Sequence, residues 1–535
     1  MFRKQVPKLL LAATLLTGAS TVGKAQLTLT GQIRTRTEVR DGLGNLVLKG
    51  ASTAAFTSQR TRLNFGYKWD RLTVGVALQD VRVWGQDVST TTNNDGARLM
   101  LHEAWADLTL ANNADTTIKF KMFDFMSIKI GRQELIYDDV RLIGNLDWLQ
   151  QGRRHDMALL KTVHHGWQVD LGHAFNQNND AFGTTNANYT PGNIPAYVRN
   201  SLGALVPTPA GIVPLAAGGS AANNSALGGT SVFANPPGTN GATQDYKSFT
   251  SLYISKKINQ TKFSGLFFAD NFGKYKSDSV GSTTAGYVYG RRFVPASATD
   301  AFDYSGTQHR FTYGLMINHT IGNASSFGKI TLQEAYYNQT GSDRDGKDLL
   351  AYHYTVSATY QKGKFSFTPG YDVLSGDDAS NPSTTSKRFD PLYGTPHKHW
   401  GYMDYFYVGT GSPAGGLVNP YFKIKYASNL LTLSADFHHF ILAKDMKKAD
   451  GTLVDKNLGN EIDLQLNYQM NKFTNIEFGY SIMSATSSMP FAKAQVTTDV
   501  AADTYNKTGN WFYAMLKFTP DFLFNKSVGE TKRKN

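Results

Sequence analysis

Four arginines at alternating positions in two neighbouring segments could form one charged surface: Arg34, Arg36, Arg60 and Arg62. In an extended strand, side chains two residues apart project from the same face, so each pair shares a face. A guanidinium group stays ionised and can bind a carboxylate through two hydrogen bonds, which would guide anionic solutes along the strands. The same groups could instead brace acidic side chains of the protein across a wide polar interior. The sequence leaves both interpretations open.

Other charged residues could belong to the same interior surface. The further pore-lining or anion-guiding candidates are Arg132, Arg153, Arg154, Lys423 and Lys425. The acidic residues predicted to face inward are Glu103, Asp107, Asp436, Asp463 and Glu477. These acids interrupt the basic residues, so the predicted surface is mixed in charge.

The elements that must position these side chains are strands with one apolar and one polar face. Within residues 461–470, the apolar face carries Ile462, Leu464, Leu466, Tyr468 and Met470, and the polar face carries Asp463, Gln465, Asn467 and Gln469. Residues 311–318 and 350–361 alternate in the same way. A period of two is typical of strands that are buried on one side.

The connections between these strands alternate in length along the chain. Short connections include 69–70, 362–364 and 471–473, whereas long ones include 176–247 and 375–418. Bacterial outer-membrane barrels have short periplasmic turns and long extracellular loops. The alternation therefore predicts an all-β fold, a single transmembrane antiparallel β-barrel. A soluble multi-domain all-β protein would explain the strand pattern but not the regular order of connection lengths.

About 18 strands are predicted, an even number that returns both ends of the chain to the periplasmic side. In chain order they lie near residues 27–38, 58–68, 71–83, 99–110, 117–131, 153–162, 167–175, 248–257, 262–270, 308–319, 327–338, 350–361, 364–374, 419–428, 431–442, 460–470, 473–483 and 510–518. A lipid-facing arginine at the bilayer midplane costs about 2–4 kcal/mol. The four alternating arginines are therefore predicted to face the lumen.

The two ends of the chain carry separate signals. Residues 1–25 combine a basic start, an apolar run over 9–16 and small residues before Gln26, which indicates a signal peptide cleaved after Ala25. The apolar run is shorter than the roughly 20 residues of a membrane-spanning helix. The outer-membrane β-barrel is predicted over 26–520. Within it, 176–247 is predicted to be a long low-complexity extracellular loop without a core of its own, and 521–535 to be a polar C-terminal tail.

Composition excludes several classes of protein. The chain has no cysteine, so it has no disulfide framework, thiolate metal site or thiol nucleophile. Its formal charge of +12 falls to about +5 once the basic residues of the signal peptide and the tail are set aside. No recognition element accompanies this mild basicity, so nucleic acid is not an expected partner.

Two stretches resemble the alginate-export family of outer-membrane barrels, as a Bacteroidetes-type member. Residues 131–156 read GRQELIYDDVRLIGNLDWLQQGRRHD, in which one strand ends in Gly-Arg-Gln and the next opens with Gly-Arg-Arg-x-Asp. Residues 389–407 read FDPLYGTPHKHWGYMDYFY. The positions matched to the family are Gly131, Arg132, Gln133, Arg153, Arg154, Asp156, His397, Lys398 and Asp404. The resemblance implies a monomeric barrel whose lumen passes an anionic polysaccharide or oligosaccharide. Residues 132–152 would either fold inward as a constriction, by analogy with porin loops, or cap the outside.

The alternative to a carbohydrate channel is a less selective porin for small hydrophilic solutes, and a receptor or adhesion barrel is less favoured. No enzyme activity, catalytic residue, cofactor or metal ligand is predicted. His164-His165 and His397-Lys398-His399 lack the three or four converging ligands of a zinc site, and Ser434 and His439 lie on opposite faces of one strand. Without a nucleotide-binding loop, passage is expected to be passive or facilitated. The expected partners are an anionic carbohydrate and outer-membrane lipid, and any periplasmic partner is unidentified.

Overall fold

The computed structural model describes residues 26–85, 99–115, 117–176, 197–216, 230–231, 246–407 and 413–523. The predicted signal peptide lies outside the described residues. The described chain forms one 18-stranded antiparallel sheet that closes into a barrel. The predicted fold class and strand number are therefore confirmed.

Each barrel strand corresponds to one predicted segment. The barrel strands are β1 (Gln26–Asp41), β2 (Ala54–Trp69), β3 (Leu72–Val83), β4 (Met100–Asn112), β5 (Phe125–Gln133), β6 (His155–His164), β7 (Trp167–Phe175), β12 (Ser248–Ile258), β13 (Thr261–Gly273), β16 (Thr307–Asn323), β17 (Gly328–Ser342), β18 (Asp348–Lys362), β19 (Phe365–Leu374), β20 (Leu417–Ala427), β21 (Leu431–Leu442), β22 (Asn457–Asn471), β23 (Thr474–Ala485) and β24 (Thr508–Phe518). Consecutive barrel strands pair with one another, and β24 pairs with β1 to close the ring. The two ends of the barrel differ in their connections, and we name them the short-turn end and the long-loop end.

The alternation of side chains along β22 shows which face is outside. Ile462 and Leu464 are 43% and 46% exposed, whereas Glu461 and Asp463 between and beside them are 0% and 1% exposed. The apolar face therefore points away from the barrel, where a membrane protein meets lipid, and the polar face points into the lumen. Arg34 and Arg60 lie directly opposite each other on β1 and β2, and they are 3% and 0% exposed.

Strand β5 begins later than predicted. The expected start was residue 117, but the strand begins at Phe125. The preceding connection folds on itself, because the Asp115 carboxylate accepts the Thr117 backbone N–H at 2.9 Å and Lys121 Nζ donates to the Asn112 carbonyl at 3.1 Å. The alternation of residues 117–124 therefore belongs to a turn at the short-turn end.

The chain after β24 returns along the barrel wall. Gly31 N–H donates to the Pro520 carbonyl at 2.8 Å, and Phe522 N–H donates to the Leu29 carbonyl at 3.0 Å. The first residues of the predicted polar tail thus pair with β1. Residues 524–535 lie outside the described part of the chain.

Two small sheets lie outside the barrel sheet. Strands β8 (Tyr197–Arg199) and β9 (Leu205–Pro207) pair with each other, while β10 (Ile212–Ala216), β11 (Thr230–Ser231), β14 (Lys276–Ser282) and β15 (Gly286–Arg292) form a four-stranded sheet. Ile212 and Val213 are 1% and 0% exposed. Strand β10 obtains its buried surface by pairing with β15 from the next long loop, and the expectation that 176–247 has no core of its own stays a prediction.

The lumen is filled at the long-loop end and more open at the short-turn end. Inward side chains near the long loops, such as Gln79, Phe249 and Leu417, are fully buried. Asn64 and Thr368, nearer the short turns, are only partly buried. Among the described residues, no helix has the length and apolar character needed to cross a membrane.

Candidate functional site

Two long loops fold into the lumen and meet there. Loop A is residues 134–154, between β5 and β6, and loop B is residues 375–407, after β19. Gly144 N–H donates to the Tyr393 carbonyl at 3.0 Å, Tyr393 N–H donates to the Leu142 carbonyl at 2.9 Å, and Thr395 N–H donates to the Val140 carbonyl at 2.8 Å. The two stretches that resemble the alginate-export family therefore form one body inside the barrel.

The four alternating arginines hold one end of loop A, and we call them the arginine wall: Arg34, Arg36, Arg60 and Arg62. Arg34 Nη1 donates to the Asp147 carbonyl at 2.8 Å and Nη2 to the Leu149 carbonyl at 2.9 Å. Arg60 Nη1 and Arg62 Nη1 lie 2.8 and 3.2 Å from Asp147 Oδ1. Burial alone would raise the pKa of Asp147, but the positive charges of Arg60, Arg34 and Arg62 outweigh it and hold that pKa below its ordinary value.

Arg36, the remaining arginine of the wall, begins a stack of planar groups that joins both loops to β1. The Arg36 guanidinium carbon lies 4.5 Å from the Trp148 ring centroid. Trp148 stacks on His397 at 4.6 Å, and His397 stacks on Tyr402 at 4.9 Å. His397 Nδ1 is also 2.7 Å from Asp404 Oδ1. These contacts place His397 and Asp404, two positions predicted from the family resemblance, in the packing of loop B.

The other part of loop A reaches the opposite wall. Asp138 Oδ1 accepts hydrogen bonds from Tyr253 Oη at 2.8 Å, Lys262 Nζ at 2.8 Å and Ser264 Oγ at 2.9 Å. Strand β13, which carries Lys262 and Ser264, is the ninth barrel strand and lies across the ring from β1. Loop A thus crosses the lumen, and of the two alternatives for residues 132–152 the inward constriction is the one observed.

Buried ion pairs fix the centre of this body. Arg141 is 3% exposed and pairs with Asp139 of its own loop at 3.2 Å and with Asp372 of β19. His399 Nε2 is 3.1 Å from the Asp139 carbonyl oxygen, which joins loop B to the same point. The two loops are therefore held to each other and to the wall at several separate places.

The predicted inward acids on the last strands bind loop B as well. Glu461 Oε1 accepts the Met403 backbone N–H at 2.8 Å, and Asp463 Oδ2 accepts the Tyr402 backbone N–H at 3.2 Å. On the same face, the Glu477 carboxylate accepts a hydrogen bond from Tyr513 Oη at 2.8 Å. Glu103 performs the corresponding role for loop A, since its carboxylate accepts the Glu134 backbone N–H at 3.1 Å.

A second group of cations remains accessible, and we call it the lysine face: Lys398, Lys423 and Lys425. Lys423 and Lys425 share the inward face of β20, and Lys423 Nζ donates to the Lys398 carbonyl at 3.3 Å and to Asp436 Oδ2 at 2.7 Å. Lys398 ends the short 3-10 helix of loop B, Pro396–Lys398. Lys398 and Lys425 are exposed and have no side-chain ion pair within the described chain. Desolvation, and then the charges of Lys423, Arg141 and Lys425, lower the pKa of Lys398 although Asp139 opposes this.

Arg132 does not line the lumen, so that prediction is wrong. It shares the outward face of β5 with Ile130, which is 54% exposed. Its Nε and Nη2 each lie 2.8 Å from an oxygen of Asp156, directly opposite on β6. The energetic argument against outward arginines applies at the bilayer midplane and weakens toward the interfaces, so a paired arginine at the long-loop end is tolerated.

The remaining matched positions shape the ends of β5 and loop A. Gly131 has φ +121°, and a Cβ there would lie 2.3 Å from the Ala104 carbonyl oxygen, so only glycine fits. Gln133 is buried and donates through Nε2 to the Met157 carbonyl at 3.1 Å. Arg153 Nη1 donates to the Gly394 carbonyl at 2.6 Å, which joins the end of loop A to loop B.

Asp147 and Trp148 are not among the predicted site residues, although both lie within residues 131–156. Their partners Arg34, Arg36 and Arg60 are 87 to 114 residues distant in sequence. No local spacing indicates such contacts. The sequence holds only an indirect indication of these contacts. Asp147 lies in a segment between two strands, and a loop that folds inward could bring its carboxylate to the arginine wall.

Comparison with known proteins agrees with this architecture. Residues 25–182 match the alginate export family, which confirms the resemblance for that part of the chain and includes all of loop A. The Bacteroidetes-type origin stays a prediction. No curated protein matches the sequence.

Solved outer-membrane proteins share the fold at low sequence identity. OccAB4 of Acinetobacter baumannii has a TM-score of 0.53 and 12% identity, with 93% of this chain and 98% of that chain covered. OpdK of Pseudomonas aeruginosa has a TM-score of 0.51 and 10% identity, with 93% and 99% covered. OpdO of Pseudomonas aeruginosa has a TM-score of 0.51 and 10% identity, with 93% and 98% covered. The closed barrel and the family match together support an outer-membrane channel.

Proposed function

We propose that this protein is an outer-membrane channel through which anionic oligosaccharides or polysaccharides pass down their gradient. The match of residues 25–182 to the alginate export family supports this class of cargo. The observation that carries the proposal is the lysine face. Its cations project into the lumen beside the body formed by loops A and B, where a passing solute would meet them.

The charge of the lysine face favours an anion. Asp436 is the carboxylate that binds Lys423, while Lys398 and Lys425 remain exposed. An ammonium group on a flexible stem can follow a moving anion without binding it in one fixed geometry. A channel needs such weak binding, because a solute must be able to leave each site.

The arginine wall has a different role in this proposal. Its guanidinium groups are buried against Asp147 and the carbonyls of loop A, so they are assigned to holding the constriction. Solute contact is assigned to the lysine face, which lies on β20 and the tip of loop B.

Single-channel currents in planar bilayers test the cargo. We expect an oligouronate to block the wild-type channel and a neutral oligosaccharide of the same length to block it less. In the Lys398→Gln/Lys425→Gln variant, the half-blocking oligouronate concentration should rise about tenfold, equivalent to ~1.4 kcal/mol.

The matched control is Lys256→Gln. Lys256 lies on the outward face of β12 with Nζ 4.9 Å from the Trp167 ring centroid, so its loss should leave the block unchanged. If oligouronates neither block nor permeate while small salts pass freely, the carbohydrate proposal fails.

A less selective porin for small hydrophilic solutes is the second candidate. The crossing of the lumen by loop A favours it, because a fixed constriction suits small solutes better than a bulky polymer. Liposome uptake assays with monosaccharides and longer uronate chains distinguish the two. Entry of small acids and neutral sugars at equal rates, with exclusion of every longer uronate, would favour the porin.

The proposal includes several further points about the protein in the cell. We infer export through a signal peptide cleaved after Ala25, so the mature protein should begin at Gln26 in N-terminal sequencing. We also infer a monomer in outer-membrane lipid that binds no nucleic acid, catalyses no reaction and needs no cofactor. The direction of transport follows the gradient of the cargo.

A further inference from the structure

Arg154, at the end of loop A, is buried without a carboxylate. Its exposed fraction is 2%. Nε and Nη1 are buried and have no hydrogen-bond partner among the residues that the structure describes, while Nη2 lies 3.4 Å from the sulfur of Met100. A thioether is a weak acceptor, so most of the hydrogen-bonding capacity of this cation is unused.

Other arginines inside the barrel are treated differently. Arg141 and Arg310 are each 3% exposed, and each binds two carboxylates: Asp139 and Asp372 bind Arg141, and Asp270 and Asp390 bind Arg310. This is the expected arrangement, because a buried charge is costly unless it is paired and hydrogen-bonded. Arg154 therefore departs from the arrangement of Arg141 and Arg310. Arg153, which also forms no ion pair with a described residue, still donates to the Gly394 carbonyl at 2.6 Å.

Arg62 of the arginine wall has a smaller deficit of the same kind. Arg62 Nη2 is buried and has no hydrogen-bond partner in the described part of the chain, and Arg62 Nη1 shares Asp147 with Arg34 and Arg60. Three guanidinium groups, those of Arg34, Arg60 and Arg62, thus share the carboxylate of Asp147.

Gly152 brings the loop backbone against this point. A Cβ at residue 152 would lie 2.9 Å from Arg62 Nη2 and 3.0 Å from His102 Cε1. The end of loop A therefore closes over Arg62, with Arg154 two residues further along the chain. Burial, and then the charges of Arg132 and Arg62, lower the pKa of Arg154 to about 10, although Asp156 opposes them.

We propose that Arg62 and Arg154 bind a small inorganic anion, such as a halide or phosphate, at the foot of loop A. The anion accepts hydrogen bonds from Arg62 Nη2 and from Nε and Nη1 of Arg154. It supplies a negative charge to Arg154, which has no ion-pair partner in the described chain, and to Arg62, which shares Asp147 with two other arginines. It is a resident ligand that stabilises the constriction. This site is separate from the lysine face and does not depend on which solute the channel passes.

Crystals of the mature protein soaked in bromide test the site directly. We expect an anomalous bromide peak within hydrogen-bond distance of Arg62 Nη2 and the Arg154 guanidinium. In solution, the thermal-unfolding midpoint in detergent should rise by on the order of 1–2 °C when bromide or phosphate replaces a bulky sulfonate buffer as the anion. Comparing bromide with phosphate shows whether the site takes halides, oxyanions or both.

Three variants make the result specific. Arg154→Gln should lose the peak and the anion-dependent rise. Arg132→Gln, which removes the nearby arginine paired with Asp156 on the outer face, should keep both. Met100→Glu should place a carboxylate beside Arg154 Nη2, and it should lose the bromide dependence while having a higher midpoint than wild type in the sulfonate buffer.

The possible results either support the anion site or overturn it. A bromide peak at the two arginines, abolished in Arg154→Gln or in Met100→Glu, supports the site. Absence of the peak in the wild type, or an anion-dependent rise of equal size in wild type and Met100→Glu, overturns it. The Met100→Glu comparison keeps the test decisive if Arg154→Gln does not fold.

Discussion

The arginine wall and the lysine face carry the same charge inside the same lumen, but their surroundings differ. Arg34, Arg36 and Arg60 are 3%, 4% and 0% exposed and bind loop A. Lys398 and Lys425 are exposed, and no described residue forms an ion pair with either side chain. In the proposed function, therefore, the lumenal cations that loops A and B leave uncovered are the ones that contact the solute, and the covered ones hold the loops.

The residue types suit these two roles. A guanidinium has five donors in a planar fork and can satisfy several carbonyls and a carboxylate at once, as Arg34 does with residues 147–149. An ammonium group is a compact charge on a flexible stem, which suits transient contact. Three changes test whether the two groups have different roles: removal of one arginine, exchange of the two residue types, and titration of the shared carboxylate of Asp147.

Removing one arginine from the wall should have the largest effect. In Arg60→Ala, Asp147 loses its closest ion-pair partner and the fully buried guanidinium is gone. Asp147 is 44% exposed and keeps Arg34 and Arg62 as partners. We therefore expect a loss of unfolding free energy of about 2–3 kcal/mol in urea titrations in detergent micelles, in the range for hydrogen bonds to charged groups and below the cost of breaking a fully buried pair. Single-channel conductance should also rise, because loop A is less firmly held.

Arg132→Ala is the control for this prediction. It removes an arginine from a partly exposed pair on the outer wall, and such pairs contribute about 0–1 kcal/mol. Equal losses in Arg60→Ala and Arg132→Ala would contradict the idea that the wall holds the constriction.

The sequence predicted the barrel well because strand alternation is a local property. The outward Ile462 and inward Asp463 follow from their order along β22, and the inward arginines follow from the cost of placing charge in lipid. The same local reasoning failed for residues 117–124, where the hydrogen bond that Asp115 accepts from Thr117 and the one that Lys121 donates to Asn112 override an alternating pattern. The prediction that Arg132 faces the lumen failed because the alternation of residues does not show how deep a side chain lies in the membrane.

The site was less predictable because its contacts join distant parts of the chain. The Arg141–Asp372 pair joins residues 231 positions apart, and Arg153 reaches Gly394 across 241. Family resemblance marked the two stretches that form the inward body, but not that they meet. Only the folded ring brings the arginine wall, loop A and loop B together.

Exchanging the residue types should have a smaller and asymmetric effect. Arg60→Lys keeps the charge but loses the fork that binds Gln32 and Asp147 together, so we expect a loss of about 1–2 kcal/mol in the same urea titrations, from charge-assisted hydrogen bonds. Lys425→Arg keeps an exposed charge, so the half-blocking oligouronate concentration should stay within about twofold of wild type. A large effect of Lys425→Arg with none of Arg60→Lys would reverse the assignment of the two groups.

Acid should weaken the wall only over a narrow range of pH. Arg60, Arg34 and Arg62 hold the pKa of Asp147 below its ordinary value of 3.8, so the proton binds more tightly when loop A is detached. The contribution of Asp147 is therefore complete above about pH 4 and is lost as the pH falls through its lowered pKa. We expect conductance to be constant from pH 7 to about pH 4 and to rise below it as loop A loosens. Asp147→Asn should already show the higher conductance at pH 7 and little further rise in acid. A wild-type channel whose conductance rises between pH 7 and pH 5 would show that a different group controls the constriction.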